Sequence, residues 1–268
     1  MSELACLDGR IAPAGETYVP ATDDGLLRGD GVFEVFRVYD GAPFALADHL
    51  ERMTQSAANL RLELPPTDLL RDEALALIAQ RGERFDGIVR IVVTRGGRRL
   101  LLTEPLPASS TAETLRLGVV RYSPPRVLDG VKSLSYGGNM LASRLAREQG
   151  FDEALLVTPH GRVLEAPTSS VFWVDAGGTL CTPPLDEHIL ASITRARVLG
   201  LVDVDERPAT LDDVRDASEV FIASTTREVQ AVAAVEDMVF APAPGERTRE
   251  AAQALRGHIE EALQAVRT

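Results

Sequence analysis

Strand-like and helix-like segments follow one another along this chain without strict strand–helix–strand alternation, and no GxGxxG opens a helix, so a dinucleotide-binding fold is disfavoured. What remains is a mixed α+β chain. Gly31-Val-Phe-Glu-Val-Phe-Arg-Val-Tyr39 alternates as a strand does, Asp40-Gly41 supplies a tight turn, and Phe44-Ala-Leu46 reads as the return strand. Asp48 is placed to cap a helix through Leu50, Met53, Ala57 and Leu60, and Thr67 or Asp68 to start another through Leu70, Ala74, Leu77 and Ile78. Strands are expected at Ile88–Thr94, at Arg99–Thr103 after a Gly96-Gly97 turn, and at Leu115–Tyr122. Ser123-Pro-Pro125 then reads as a linker. With 268 residues there is room for two domains, and the linker divides them into 1–122 and 123–268.

The second part begins with a helix capped by Asn139 and stopped by Gly150. Short strands follow at Ala154–Val157, Arg162–Glu165 and Ser170–Val174, then a helix at Ile193–Leu201. Further strands at Val202–Glu206, Val220–Ala223 and Val229–Val235 precede a final amphipathic helix from about Arg247 to Val266.

Charge and composition exclude several classes. Lys plus Arg is 28 against 40 Asp plus Glu, giving −12, so the overall field repels nucleic acid and anionic lipid. No uncharged stretch approaches the roughly 20 apolar residues of a bilayer span. The start has neither a basic nor an apolar leader region, which sets the expectation of a cytoplasmic protein. Cys6 and Cys181 form neither a CxxC pair nor a metal-ligand cluster, and no metal site is expected.

The most unusual count is that of lysine. Lys132 is the only one, and all other basic side chains are Arg. Arginine keeps its proton, whereas a desolvated amine loses it and attacks carbonyls, so only Lys132 is able to form a Schiff base through a side chain. Glu165, at a strand end 33 residues further on, is either a solvated turn carboxylate or a partner for a cationic ring nitrogen. Ser192-Ile-Thr-Arg195 opens a helix and Ser224-Thr-Thr226 follows an apolar strand; each is either a cap or a set of N–H and hydroxyl donors for a phosphate. Arg98 or Arg99 is either a grip for a substrate carboxylate or a solvated loop charge. An amine, a carboxylate and two hydroxyl-rich anion sites match what pyridoxal phosphate requires.

These residues stand in an order that resembles the fold-type IV pyridoxal-phosphate enzymes, which include branched-chain and D-amino acid aminotransferases, (R)-amine transaminases and aminodeoxychorismate lyases. The resemblance runs from Asp24-Gly25 and Gly29-Asp-Gly-Val-Phe-Glu34 through His49-Leu-Glu-Arg52 and Lys132 to Thr225. It implies a small N-terminal α/β domain, a larger pseudo-barrel C-terminal domain that binds pyridoxal 5′-phosphate, and a homodimer. It makes Lys132 the Schiff-base lysine and Glu165 the partner of the pyridine nitrogen. Arg52 becomes a phosphate ligand together with Ile193, Thr194, Thr225 and Thr226, and Phe33, Tyr136, Arg98 and Arg99 become candidate substrate contacts. The implied reaction is transfer of an amino group between an amino acid or primary amine and a 2-oxo acid. The alternative is a lyase that releases pyruvate and 4-aminobenzoate from aminodeoxychorismate, which Phe172-Trp173 resembles.

Overall fold

The structure, a computed structural model, describes residues 3–108 and 111–267. Its contacts divide into two compact units. The first comprises the described residues up to Leu106, the segment Gly130–Tyr136 and the chain's end from Glu261; the second comprises Pro107–Asp129 and Gly137–Glu260.

The first unit is built on a six-stranded antiparallel sheet. Its strands are β1 (Leu4–Leu7), β2 (Arg10–Pro13), β3 (Gly31–Tyr39), β4 (Ala42–Pro43), β5 (Gly87–Thr94) and β6 (Arg99–Glu104), ordered β2-β1-β6-β5-β3-β4. Its helices are α1 (Asp24–Arg28), α2 (Leu46–Leu60) and α3 (Thr67–Arg81). On β3, Val32, Phe36 and Val38 share a core with Leu50 and Met53 of α2 and Leu70 and Leu77 of α3. Alternation therefore puts Glu34 on that helix-covered face and Phe33 on the other. α2 buries Leu46, His49, Leu50, Met53, Ser56 and Ala57, one stripe at helical spacing with two polar members. The helix starts before Asp48: Ala45 precedes it in the left-handed region, and Asp48 sits in the first turn rather than capping it. The expected return strand at Phe44–Leu46 is correspondingly shorter and earlier, at Ala42–Pro43.

The second unit carries a ten-stranded mixed sheet. Its elements are β7 (Thr114–Arg121), α4 (Gly137–Glu148), β8 (Glu153–Val157), β9 (Arg162–Val163), β10 (Ser170–Val174), β11 (Leu180–Thr182), α5 (Ile193–Leu201), β12 (Asp205–Glu206), β13 (Ala209–Thr210), α6 (Leu211–Arg215), β14 (Glu219–Ser224), β15 (Glu228–Val235), β16 (Met238–Val239) and α7 (Glu246–Arg267). The order is β12-β11-β10-β14-β15-β7-β8-β9-β13, with β16 on β15. One face of the central strands packs Leu115, Leu117, Val157, Trp173 and Ile222 together. The other packs Phe172, Phe221 and Ala223 against Val198 of α5 and Ala251 of α7. Burial on both faces explains why β8, β10 and β14 read as continuous apolar runs.

The expected division at residue 122 is thus displaced. β7 pairs in parallel with β15 and β8, so it belongs to the second sheet, and Ser123-Pro-Pro125 lies inside that unit. Gly130–Tyr136 returns to the first unit because its backbone docks on the start of β3. Phe33 N–H donates to the Lys132 carbonyl (3.0 Å) and Leu134 N–H to that of Gly31 (2.9 Å).

A side chain at position 31 would disturb this docking. A Cβ there would stand 2.5 Å from the Val93 carbonyl oxygen and 2.6 Å from Leu134 Cδ1. Gly31→Ala is expected to destabilise the first unit by about 1–3 kcal/mol, read as a lower urea midpoint, with faster hydrogen exchange at the Leu134 amide.

Candidate active site

In the first unit, Lys132 is held by its backbone and framed by rings. Its N–H donates to Ser56 Oγ on α2 (3.1 Å), its carbonyl accepts from Phe33, and Val32 and Ser133 form an antiparallel bridge. The ammonium Nζ lies 4.3 Å from the centroid of the Phe33 ring and 5.4 Å from that of Tyr136. The two rings meet edge to face, 5.2 Å apart. A cation is favoured over such rings, and a short apolar wall also limits the water around the amine.

Behind this frame Glu34 is fully buried. Arg52 donates to it through two nitrogens, Nε to Oε1 at 2.7 Å and Nη2 to Oε2 at 2.6 Å. His49 Nδ1 approaches Oε2 at 2.7 Å, and because a carboxylate only accepts, that nitrogen carries the proton. Burial pushes the Glu34 carboxyl up, but the bonds from Arg52 and then His49 outweigh it and hold the pKa at about 2. Burial likewise lowers His49, and the pairing with Glu34 only partly restores it. The first unit therefore holds Lys132, Phe33, Tyr136 and Arg52 on one strand, one helix and one docked segment.

Arg98 and Arg99 are both ion-paired within the first unit. Arg98 Nη1 pairs with Asp8 at 2.7 Å, and Arg99 meets buried Glu73 of α3 through Nη2 (2.8 Å) and Nε (3.2 Å). These ion pairs tie β6 to the β1–β2 turn and to α3.

In the second unit, the sequence-marked groups gather at one end of neighbouring strands. Glu165 lies just past β9 but remains tied to β8, since Leu156 N–H donates to its carbonyl at 2.8 Å. Both oxygens of its side chain accept a long contact, 3.4 Å, from Leu190 N–H. The following turn closes where Ala166 and Ser169 exchange backbone bonds, and Ser170 then pairs with Ala223. This register sets the Glu165 turn beside the β14–β15 turn, in which Arg227 N–H donates to the Ser224 carbonyl across Thr225 and Thr226 (3.2 Å). α5 packs on the same strands through Val198. Its cap Ser192 accepts from Arg195 N–H (3.2 Å), so Ile193 and Thr194 are the first two helical residues, whose amides have no partner within the helix.

Several residues at the site escaped sequence reasoning. Tyr122 donates to Asn139 Oδ1 (3.2 Å), and Asn139 Nδ2 donates to the Pro167 carbonyl in the turn after Glu165 (2.9 Å). Burial raises the Tyr122 phenol and the Glu165 charge adds to it, which places the phenol in the field of that carboxylate. Asn139 was expected to cap α4, but the helix begins at Gly137 and the side chain is used in this network. Glu34 and His49 were legible only as members of the family-like blocks, and Ser56 gave no signal beyond being polar inside an apolar stripe.

Comparison with known proteins agrees with this arrangement. A family model for class IV amino-transferases matches residues 31–235. A protein of Methanocaldococcus jannaschii assigned as a branched-chain-amino-acid aminotransferase is 35% identical, with 87% of this chain and 88% of the relative covered. The D-alanine aminotransferase of Bacillus licheniformis is 30% identical over 94% and 95% of the two chains. Among solved structures, a fold IV transaminase of Curtobacterium pusillum is 28% identical with a TM-score of 0.83, covering 94% of this chain and 97% of that one. The chain belongs to the class IV aminotransferase family. It has the fold-type IV architecture and is a pyridoxal-phosphate-dependent aminotransferase. No helix among the described residues is long and apolar enough to cross a membrane.

The Glu34 cluster makes a pH-dependent contribution with a defined sign. A carboxyl whose folded pKa is depressed contributes stability that is complete above its unfolded value near 4.5 and is lost as pH falls through about 2. That contribution is on the order of 3 kcal/mol. Wild type should therefore lead Glu34→Gln in urea unfolding at about pH 6, with the gap narrowing towards about pH 3.

Proposed function

We propose that Lys132 is the residue to which pyridoxal phosphate is attached, and that this protein moves an amino group between an amino acid or primary amine and a 2-oxo acid. The observation that carries the assignment is the placement of the chain's only lysine: backbone docked on β3 and α2, amine beside the Phe33 and Tyr136 rings.

The donor set suits the cofactor. Ser170 Oγ, at the start of β10 next to the Glu165 turn, is buried with no hydrogen-bond partner, a polar atom that an incoming ligand would satisfy. In this reading Arg52 contributes a guanidinium to the phosphate, and the second unit contributes the Ile193 and Thr194 amides with Thr225 and Thr226. Glu165 keeps a proton on the ring nitrogen; its carboxylate sits at a strand end, where Leu190 N–H approaches both oxygens at 3.4 Å. Bound pyridoxal phosphate supplies a conjugated ring that accepts the electron pair left on the substrate carbon. Lys132, once its amine is released by the incoming donor, would take the proton from the substrate carbon at Nζ and carry it to the cofactor carbon C4′. Phe33 and Tyr136 keep water from that amine and border the substrate.

Two further parts of the reading concern assembly and place. Tyr18, Leu26 and Leu27 are exposed at 77%, 65% and 60% on one short stretch of the first unit, which supports a homodimer that covers them. Cytoplasmic residence is the other part of the reading.

Amino donors added singly to the cofactor-loaded protein test the reaction. At least one among L- and D-amino acids and (R)-amines is expected to bleach the visible band, and 2-oxoglutarate or pyruvate to restore it. Glu165→Gln should retain the cofactor and bleach slower by about a hundredfold or more. A band that no donor bleaches, with pyruvate released from aminodeoxychorismate, would establish the lyase in place of the transaminase.

A further inference from the structure

Glu34 is a costly residue for a core. It stands on β3 between positions occupied by Val32 and Phe36, fully buried, and its carboxylate is kept charged by Arg52 and His49. A buried ion pair returns less than its desolvation costs unless its geometry is close to ideal, and an apolar set of similar volume is commonly at least as stable. The benefit of keeping one is orientation.

Here the orientation is specific. Arg52 meets Glu34 with one edge of its guanidinium, Nε and one hydrogen of Nη2. Because the group is planar, this fork fixes the plane and directs the opposite edge, at Nη1, away from the carboxylate. His49 prevents the carboxylate from turning, since its Nδ1–H grips Oε2, the oxygen that also accepts from Nη2. α2 supplies both partners from one face, three residues apart. Apart from this cluster, the stripe that α2 buries is apolar but for Ser56.

We propose that Glu34, locked by His49, is a positioning residue that holds the Arg52 guanidinium in the orientation needed to bind the cofactor phosphate, and so sets how much more tightly this protein binds pyridoxal phosphate than pyridoxal. The inference rests on the assignment of Arg52 as a phosphate ligand made above. It has a sign that charge alone would reverse. Replacing Glu34 by Gln removes a negative charge from behind the guanidinium, which strengthens the field at a phosphate; loss of orientation weakens the hydrogen bonds, which act at shorter range.

The test is the ratio of the two dissociation constants, pyridoxal over pyridoxal phosphate, measured by absorbance on the full-length chain freed of cofactor. A general loosening of the protein weakens both ligands, whereas a misdirected Arg52 weakens only the phosphorylated one. In Glu34→Gln the ratio should fall by about tenfold. In Arg52→Gln it should fall further, and the double variant should fall no lower than Arg52→Gln alone, because both changes remove one interaction. Glu34→Asp keeps the buried charge, and so guards against failure of the amide variant to fold. Its carboxylate is one methylene short of meeting both nitrogens, and the ratio should drop by about threefold or more. A ratio that is unchanged or higher in both Glu34 variants while Arg52→Gln lowers it would overturn the inference and leave the Arg52 assignment standing. A ratio unchanged in Arg52→Gln as well would overturn the assignment and the inference together.

Discussion

A carboxylate without solvent, Glu34 in the middle of β3, imposes the arrangement of the first unit. It must be met by donors on the helix-covered face, and α2 meets it with His49 and Arg52. One residue earlier the same strand presents Phe33 to its other face, where the Lys132 amine lies over the ring. The two groups are separated by a single residue of extended chain, and their opposite directions follow from the pleat alone. The backbone of Gly130–Tyr136 completes this by pairing with Gly31 and Phe33 and by donating to Ser56 of α2. One strand and one helix therefore fix both the amine and the guanidinium, and rigid elements hold reactive groups more closely than loops do.

The second unit works through strand ends. Its central strands are buried on both faces and offer no side chains for chemistry, so polar groups concentrate where β10 starts and β14 stops. There strand pairing sets the Glu165 turn beside the Thr225–Thr226 turn, and α5 packs on the same strands through Val198. Asn139 links α4 to the same turn by bridging Tyr122 and Pro167. The buried, unpartnered hydroxyls of Ser170 and Ser224 lie at these ends.

Local pattern made much of this visible from the chain alone. The alternation of Gly31–Tyr39, the helical spacing of α2 and α3 and the apolar runs of β8, β10 and β14 each depend on residues close in sequence. Lys132 stood out because counting it requires no structure. What local pattern does not carry is the identity of a strand's neighbours. β7 was recognisable as a strand, but nothing within it shows that it pairs with β15 and β8 rather than with the sheet before it, and the expected domain boundary moved accordingly. The same limit governs charges. Arg98 and Arg99 beside a Gly-Gly turn pair with Asp8 and Glu73, partners distant in sequence that nothing local to the turn reveals. Asn139 has the composition of a cap and the position of a bridge. Ser56 is one small polar residue within an amphipathic stripe, and only the fold reveals that it receives the Lys132 amide.

The central claim is that the single lysine, in this setting, is where the cofactor is attached. Reduction of the cofactor-loaded protein with borohydride, followed by proteolysis and mass mapping of peptides, tests it without reference to any substrate. The expected result is a stoichiometric increase by the mass of the reduced cofactor on the peptide containing Lys132, and on no other. A cofactor that stays removable after reduction, or a label found at the chain's amino terminus in place of Lys132, would contradict it.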